Sequence, residues 1–328
     1  MKLKSIMLLF SSFMIFGCGA GNQQGWQSLE NRNVIDGVVI IKRTTKASRS
    51  VVAIELVDSK RQIVAYCTGA LIGTHSILTA AHCFDQKLLP GVVAFNVIFE
   101  TRTKPFGIPV TRAGVSFIQH PQYESEPKDW LLHDGKYIDP KKHPEVRITR
   151  DADLKPIPQK DHDLAVGVFS GTMPTGFEIA TIDLDYNVNY TGKNITFYGY
   201  GRAVDYLDPK GFYDTSDGQL RKGSAVVDDD FDLHPDRFYT KKTSKNTLCQ
   251  GDSGGPNFFT EKNGNVILMG VNSAVGVTEG SIMVDEKFGK GLYSCRDRAQ
   301  VTKVGPFSDW IKREEKRLLN DLLKAEQQ

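Results

Sequence analysis

The sequence has no excess of charge of either sign. Its 328 residues include 41 Lys and Arg against 39 Asp and Glu, a formal net charge of +2. No run of Lys or Arg forms a basic patch, so nothing in the composition indicates nucleic acid as a partner. The seven histidines show no ligand spacing typical of a zinc site, and no motif indicates a cofactor. We therefore expect a protein without nucleic acid, metal or cofactor.

The apolar run at the N-terminus of the sequence is too short to span a membrane readily. The apolar stretch over residues 6–16 is short and follows two lysines, which is the layout of a secretion signal. Its end, Ile15–Cys18, resembles the bacterial lipobox, in which the cysteine is lipidated and becomes residue one. An ordinary secretion signal with an incidental cysteine is the alternative. We predict a signal peptide over residues 1–17 and export to the bacterial cell envelope, as an outer-membrane lipoprotein or a periplasmic protein.

Cysteine is scarce, and its number is odd. Lipidation of Cys18 would use one of the five cysteines and leave four, enough for two disulfides in an oxidising compartment. The residues after it are polar and rich in glycine, so we interpret residues 18–33 as a flexible tether to the lipid anchor or a short propeptide. The signal and the cysteine count therefore support each other, and both predict attachment to a membrane through Cys18.

Beyond the tether, short apolar runs are separated by Gly, Asn and Asp. Runs such as Val51–Ile54 and Val266–Met269 are rich in β-branched residues, which favours strands. Residues 124–160 are rich in charge, Pro and Asp, and predict a long surface insertion. Apolar residues recur at helical spacing over residues 307–323, which predicts an amphipathic helix. The fold class is therefore all-β with a C-terminal helical extension, placed at residues 314–328.

A serine stands among glycines in the string Cys249–Pro256, which reads CQGDSGGP. On a tight glycine-rich turn, the hydroxyl of Ser253 would be exposed and nearby backbone N–H groups would be free. These are the two needs of acyl transfer, a nucleophile and an oxyanion hole. The whole string is far more specific than an isolated Gly-x-Ser-x-Gly pattern.

Two further segments offer the partners that such a serine needs. An apolar strand over Leu78–Cys83 delivers His82 beside a cysteine, and the segment that follows the insertion offers Asp163 before a Leu-Ala pair. Asp161 is the alternative acid, but it has the character of a solvated loop residue. All seven histidines precede Ser253, which excludes the α/β-hydrolases, where the order is Ser, Asp, His.

Together these segments resemble the chymotrypsin–trypsin family of serine proteases over about residues 34–313. The resemblance implies two packed six-stranded antiparallel β-barrels with the site in the cleft between them. It implies His82 as general base, Asp163 as the acid that orients it, and Ser253 as nucleophile. The amides of Gly251 and Ser253 would form the oxyanion hole. The implied disulfides are Cys67–Cys83 and Cys249–Cys295.

The start of the resembling region, Val34–Gly37, is similar to the mature N-terminus of the family. In the family, an activating protease cuts before this motif and frees an α-amine, which pairs with the acidic residue before the nucleophile, here Asp252. The cut would also separate the enzyme from its lipid anchor and release it. The alternative is a strand that begins at Val34 in an enzyme that needs no cleavage.

The resemblance also assigns a substrate pocket. Thr247 would lie at its base, Ser273 at its edge, and Val275 and Ala299 would replace glycines on its walls. Thr247 is not acidic, so cleavage after Arg or Lys is not supported. The two wall side chains predict a shallow pocket for small apolar residues. Residues 277–294 are a second insertion relative to the family pattern.

We therefore expect a monomeric serine endopeptidase that hydrolyses protein or peptide substrates through an acyl-enzyme intermediate. The alternative is a catalytically idle surface lipoprotein that uses the protease fold to bind protein. Intact His82, Asp163, Ser253 and Gly251 favour the enzyme, because loss of catalysis would be expected to damage at least one of them.

Overall fold

The computed structural model describes most of the chain beyond the predicted tether. The described residues are 34, 37–103, 108–123, 131–133, 136–138, 162–203, 217–228, 236–241, 246–275, 282–285, 290–293, 295 and 298–327. The predicted signal peptide, the lipidation site Cys18 and the tether lie outside them. Most of the two predicted insertions also lies outside the described residues.

The described residues form eighteen strands and two α-helices. The strands β1–β18 are Val38–Val39, Val51–Asp58, Ile63–Leu71, Ser76–Thr79, Val92–Ile98, Thr111–Gln119, Leu131–His133, Lys136–Ile138, Ala165–Phe169, Thr181–Ile182, Asn194–Gly199, Arg221–Val226, Arg237–Tyr239, Pro256–Thr260, Val266–Val275, Ile282–Asp285, Lys290–Tyr293 and Ala299–Lys303. The helices are α1, Lys46–Arg49, and α2, Ser308–Glu326. The predicted strand runs Val51–Ile54 and Val266–Met269 fall in β2 and β15.

The first half of the chain forms a closed six-stranded barrel in the order β2, β3, β4, β9, β6, β5. All neighbouring strands in it are antiparallel. Aromatic rings meet edge to face in its core, with centroids 5.3 Å apart for Phe84 and Phe95 and 5.6 Å for Phe99 and Phe169. Such pairs add to the burial of apolar area that holds the barrel together.

The second half forms a sheet in the order β1, β12, β11, β14, β15, β18, β13, with β10 added beside β15. A β-bridge joins Val227, just after β12, to Thr240, just after β13. The six strands from β12 to β13 in this order therefore close on themselves, and we call them the second barrel. Two backbone hydrogen bonds of 2.8 Å, from Asp228 to Tyr239 and from Lys241 to Val226, complete the contact. The predicted all-β fold class is confirmed.

Helix α2 ends the described chain and packs on the first barrel. Pro306 in the preceding turn, Asp309 in the first helical turn and Lys324 in the last favour its two ends. Its buried apolar residues join the core of the first barrel: Trp310, Ile311, Leu318 and Leu322. The predicted amphipathic helix is confirmed, although Leu323 lies at the edge of the apolar face and is 42% exposed.

The predicted boundary between residues 313 and 314 falls inside α2, which continues across it without a break. Among the helices that the structure describes, none combines the length and the apolar character needed to cross a bilayer.

Candidate active site

His82 and Asp163 meet at one end of the first barrel. His82 follows β4 and Asp163 precedes β9, and these antiparallel strands pair with Thr79 opposite Ala165. The end of one strand and the start of the other therefore lie side by side. The His82 Nδ1 lies 2.7 Å from Asp163 Oδ2, and the backbone N–H of His82 donates to Oδ1 at 2.8 Å. The structure thus brings together two residues that lie far apart in the sequence.

The carboxylate of Asp163 is buried yet held in its charged form. Burial by itself would raise its pKa, but the charge and hydrogen bonds of His82 and a hydrogen bond from Ser273 outweigh it, and the pKa lies below its ordinary value. The Ser273 hydroxyl donates to Oδ2 at 2.6 Å. A fixed carboxylate at Nδ1 keeps the proton of a neutral imidazole on that nitrogen, which leaves Nε2 able to accept a proton.

Ser253 lies on a turn that is held against the first barrel. Its carbonyl accepts from the backbone N–H of Thr68 on β3 at 2.8 Å, and the Thr68 hydroxyl donates to the carbonyl of Gly251 at 2.9 Å. The turn needs Gly254, whose φ is +79° and where a Cβ would lie 1.9 Å from the hydroxyl of Thr79. The half-buried Ser253 is thereby fixed beside the strands that lead to His82.

The carbonyls of this turn have partners that orient its amides. The carbonyl of Gln250 accepts from the Arg202 N–H at 2.8 Å, and the carbonyl of Asp252 accepts from the Asn272 amide at 2.9 Å. In a planar trans peptide, the N–H points opposite to the carbonyl. The N–H groups of Gly251 and Ser253 therefore point away from these contacts.

Asp252 is fully buried behind Ser253. Its carboxylate accepts from the N–H of Gly201 at 2.8 Å and of Cys249 at 2.9 Å. The backbone at position 199 also passes close to this carboxylate, and only glycine fits there, because a Cβ on Gly199 would lie 1.9 Å from Asp252 Oδ1. Burial raises the pKa of Asp252 to about 7, and the two backbone hydrogen bonds and the charge of Arg221 offset only part of that effect.

Val34 stands in mid-chain in this uncut protein, so it has no α-amine. Its side chain is fully buried in the core of the second barrel, where a Cβ on Gly223 would lie 2.7 Å from it. The chain therefore reaches the interior of the second barrel at the residue predicted to become the new N-terminus.

The raised pKa of Asp252 predicts how the folding stability of the uncut chain depends on pH. Its folded-state pKa of about 7 exceeds the ordinary value of 3.8, so the unfolded chain loses its proton first as the pH rises. Folding stability should then fall from about pH 4 to pH 7. The free energy of unfolding of Asp252→Asn, relative to the parent, should rise by about 2–4 kcal/mol between pH 4 and pH 8. Urea titrations of Ser253→Ala chains at both pH values measure the difference. A pH-independent difference would contradict the prediction.

The four predicted pocket residues have different surroundings. Val275 on β15 and Ala299 on β18 are opposite each other across the ladder. Val275 also packs against the disulfide Cys249–Cys295. Thr247 is 5% exposed, and its hydroxyl has no hydrogen-bond partner in the part of the chain that the structure describes. Ser273, the residue predicted at the pocket edge, donates its hydroxyl to Asp163.

The structure contains both disulfides that the resemblance implies, Cys67–Cys83 and Cys249–Cys295. The first joins β3 to the short 3₁₀ helix Ala81–Phe84, which carries His82. Cys67, His82 and Cys83 place three potential metal-ligand atoms within 4.8 Å of one another. Both sulfurs are used by the disulfide, so this cluster is not a metal site.

Removal of either disulfide should lower the free energy of unfolding. The cysteines of the first are 16 residues apart, so Cys67→Ala with Cys83→Ala should cost about 3 kcal/mol of unfolding free energy, as measured with urea. Cys249→Ala with Cys295→Ala, which opens a loop with a separation of 46, should cost about 4 kcal/mol. Loss of less than about 1 kcal/mol in both double variants would show that the bridges do not constrain the unfolded chain.

Two residues at this site were missed by sequence reasoning. The side-chain amide of Asn272 donates to the backbone carbonyl of Asp252 and so holds the Ser253 turn. The positive charge of Arg221 acts on the side-chain carboxylate of Asp252. A polar Asn in the apolar run of β15 was a signal for the first. No local pattern could have indicated Arg221, because arginine at the start of a strand is usually exposed to solvent. In the structure it is only 2% exposed.

Comparison with known protein families matches residues 40–311 to the Trypsin family. The match spans most of the 328 residues, so the chain belongs to the trypsin family. It carries a serine protease-type hydrolase domain, and the proteases of this family act on proteins or peptides. The disulfides and this domain indicate an exported protein. A search of curated proteins found no match.

Proposed function

We propose that the protein is a serine endopeptidase that works through Ser253, His82 and Asp163. The observation that carries the proposal is the hydrogen-bonded pair of His82 and Asp163 at the strand ends against which the Ser253 turn is fixed. Chain order, residue types and position relative to the two barrels agree with one mechanism.

In the proposed mechanism, the Ser253 Oγ attacks the carbonyl carbon of the scissile peptide and its proton passes to His82 Nε2. Asp163 stabilises the imidazolium that forms and does not itself take the proton. The amides of Gly251 and Ser253 donate to the oxyanion of the tetrahedral intermediate. His82 then gives its proton to the leaving amine. Water next attacks the acyl-enzyme while His82 takes its proton, and His82 returns that proton to Ser253 Oγ as the acid product leaves.

The proposed substrate preference is for small apolar residues before the cut. It rests on Val275 and Ala299, whose side chains occupy positions where a glycine would leave room, and on Thr247 in place of an acid. Val275 packs against the disulfide Cys249–Cys295, which supports a rigid pocket wall at this position. Peptide libraries that vary the residue before the cut test this preference.

The proposed activation is a cut before Val34 by another protease. The new α-amine would pair with Asp252, whose buried carboxylate has a raised pKa in the uncut chain. The fully buried position of Val34 in the second barrel supports entry of the new terminus into this part of the molecule. Activity would then depend on the cut, and the cut would release the enzyme from its anchor.

The proposed anchor is a lipid on Cys18, at the outer membrane or elsewhere in the cell envelope. We expect Cys18→Ser to move the uncut protein from the membrane fraction to the soluble fraction, because the variant has no thiol to lipidate. Fractionation of cells and mass spectrometry of the N-terminus measure this. A variant that stays in the membrane fraction, or a parent without lipid mass, would contradict the anchor.

Labelling with a serine-directed phosphonyl fluoride tests the function itself. Protein from its own cells, with its N-terminus identified by mass spectrometry, should carry one label on Ser253 when its chain begins at Val34. The Ser253→Ala protein should carry none, and the exposed Ser224 should stay unlabelled in both. A chain that begins at Val34 and takes no label would favour a protein-binding scaffold over an enzyme.

A further inference from the structure

The segment Gln119–Tyr123, at the end of β6, contacts the chain on both sides of His82. The side-chain amide of Gln119 donates to the carbonyl of Ala81 at 2.9 Å. The hydroxyl of Tyr123 donates to the carboxylate of Asp85 at 3.0 Å. The segment therefore holds the residue before His82 and the helix end after it.

The same segment contacts the chain on both sides of Asp163. The backbone N–H of His120 donates to the carbonyl of Leu164 at 2.9 Å. The imidazole of His120 stacks on that of His162, with ring centroids 4.9 Å apart and planes inclined by 21°. Between these contacts, the N–H of Leu164 donates to the carbonyl of His162 at 2.7 Å, which closes a three-residue turn over Asp163.

The two stacked imidazoles are enclosed by aromatic residues at the start of α2. The ring of Phe307 meets both edge to face, at 5.1 Å from His120 and 5.2 Å from His162. The Trp310 ring lies 4.7 Å from that of His120. His162 has a φ of +70°, a conformation uncommon for a residue with a side chain, so its surroundings must hold it there.

We propose that His120 is a positioning residue for hydrolysis, acting through its stack on His162 to hold Asp163 in hydrogen-bonding position with His82. The proposal rests on the proposed function for its kinetic consequences, while the alignment of His82 and Asp163 can be tested without it. The aromatic residues of α2 support the stack, so the helix contributes to the alignment of the site.

The charge state of His120 agrees with a packing role. Its Nδ1 accepts from the N–H of Gln122 at 3.3 Å, which requires an unprotonated Nδ1. Burial, followed by the charges of His162 and of Arg313 on α2, lowers the pKa of His120 to about 4. The ring is thus neutral at neutral pH and acts through its shape and stacking.

Two substitutions at His120 separate positioning from simple stability. His120→Phe keeps an aromatic ring for the stack, whereas His120→Asn removes the ring but keeps an oxygen that can accept from Gln122. We expect His120→Asn to lower kcat about 10- to 100-fold with KM changed less than twofold, and His120→Phe to restore kcat to within about threefold of the parent. The control is His75→Asn, since His75 stacks on Phe169 of the same barrel, at 6.4 Å.

Two kinetic results would overturn the proposal. One is a folded His120→Asn enzyme with kcat within twofold of the parent. The other is a loss in His120→Phe as large as that in His120→Asn, because the ring stack would then not matter. If His120→Asn fails to fold, His162→Asn takes its place, since Asn accepts a positive φ and removes the same stack from the other side.

A measurement independent of catalysis separates this proposal from the proposed function. The proton in the 2.7 Å contact between His82 Nδ1 and Asp163 should give a far-downfield proton resonance in the parent. We expect it to shift or broaden in His120→Asn and to stay in place in His120→Phe and His75→Asn. An unchanged resonance in His120→Asn would overturn the positioning role. A parent that shows the resonance but no labelling or hydrolysis after the cut at Val34 would overturn only the proposed function.

Discussion

Ser253→Ala should reduce kcat for peptide hydrolysis by a factor on the order of 10⁶, because it removes the proposed nucleophile and leaves only binding and the oxyanion hole. The fold should survive, since the contact that fixes the turn runs from Thr68 to the backbone carbonyl of Ser253 and not to its side chain. Initial rates of cleavage of a peptide with a small apolar residue before the cut measure the effect. The assay uses chains that begin at Val34.

The matched control is Ser224→Ala on β12, an exposed serine in the second barrel. It should leave kcat and KM unchanged. Thermal unfolding of all three proteins should show similar midpoints. A Ser253→Ala protein that retains more than about one hundredth of the parental rate, from a preparation free of other proteases, would remove Ser253 from the mechanism.

Asp163→Asn should lower kcat by about 10⁴-fold with a smaller effect on KM. The carboxylate accepts three hydrogen bonds, two from His82 and one from Ser273. An amide nitrogen at either oxygen would face a donor, and the imidazole would favour the tautomer that no longer presents Nε2 as an acceptor. The rate of phosphonate labelling at Ser253 should fall in parallel, because attack on the reagent needs the same base.

Asp183→Asn is the control for Asp163→Asn. Asp183 is also a buried acid, 7% exposed, and it accepts a hydrogen bond from the Tyr190 hydroxyl at 2.8 Å, away from His82. This substitution should lower stability without a large change in kcat per folded molecule. Equal kinetic losses in the two variants would mean that Asp163 acts only through the fold.

The local motifs could be predicted from the sequence because each is a short stretch of neighbouring residues. The string around Ser253 contains its glycines, its acid and its cysteine within eight positions, so no knowledge of the fold was needed to select it. The amphipathic pattern of the C-terminal helix was readable for the same reason, since its period lies within one element. The family membership and the all-β class followed from such strings and are confirmed.

Other features depend on which strands become neighbours. The hydroxyl of Ser273, on β15, donates to Asp163, which lies just before β9. The stack of His120 on His162 joins the end of β6 to the start of β9, residues that are more than forty positions apart. Neither contact leaves a pattern in the local sequence.

The sequence by itself determined the residue types available for chemistry, their order along the chain, the signal-like N-terminus and the cysteines that could pair. These are properties of covalent neighbours. Only the tertiary structure decided that Asp163 lies against His82, that Asp252 is buried with a raised pKa, and that one segment around His120 touches both sides of the pair. The physical reason is that burial, dielectric and hydrogen-bond geometry arise when distant strands pack, and no single stretch of the chain contains them.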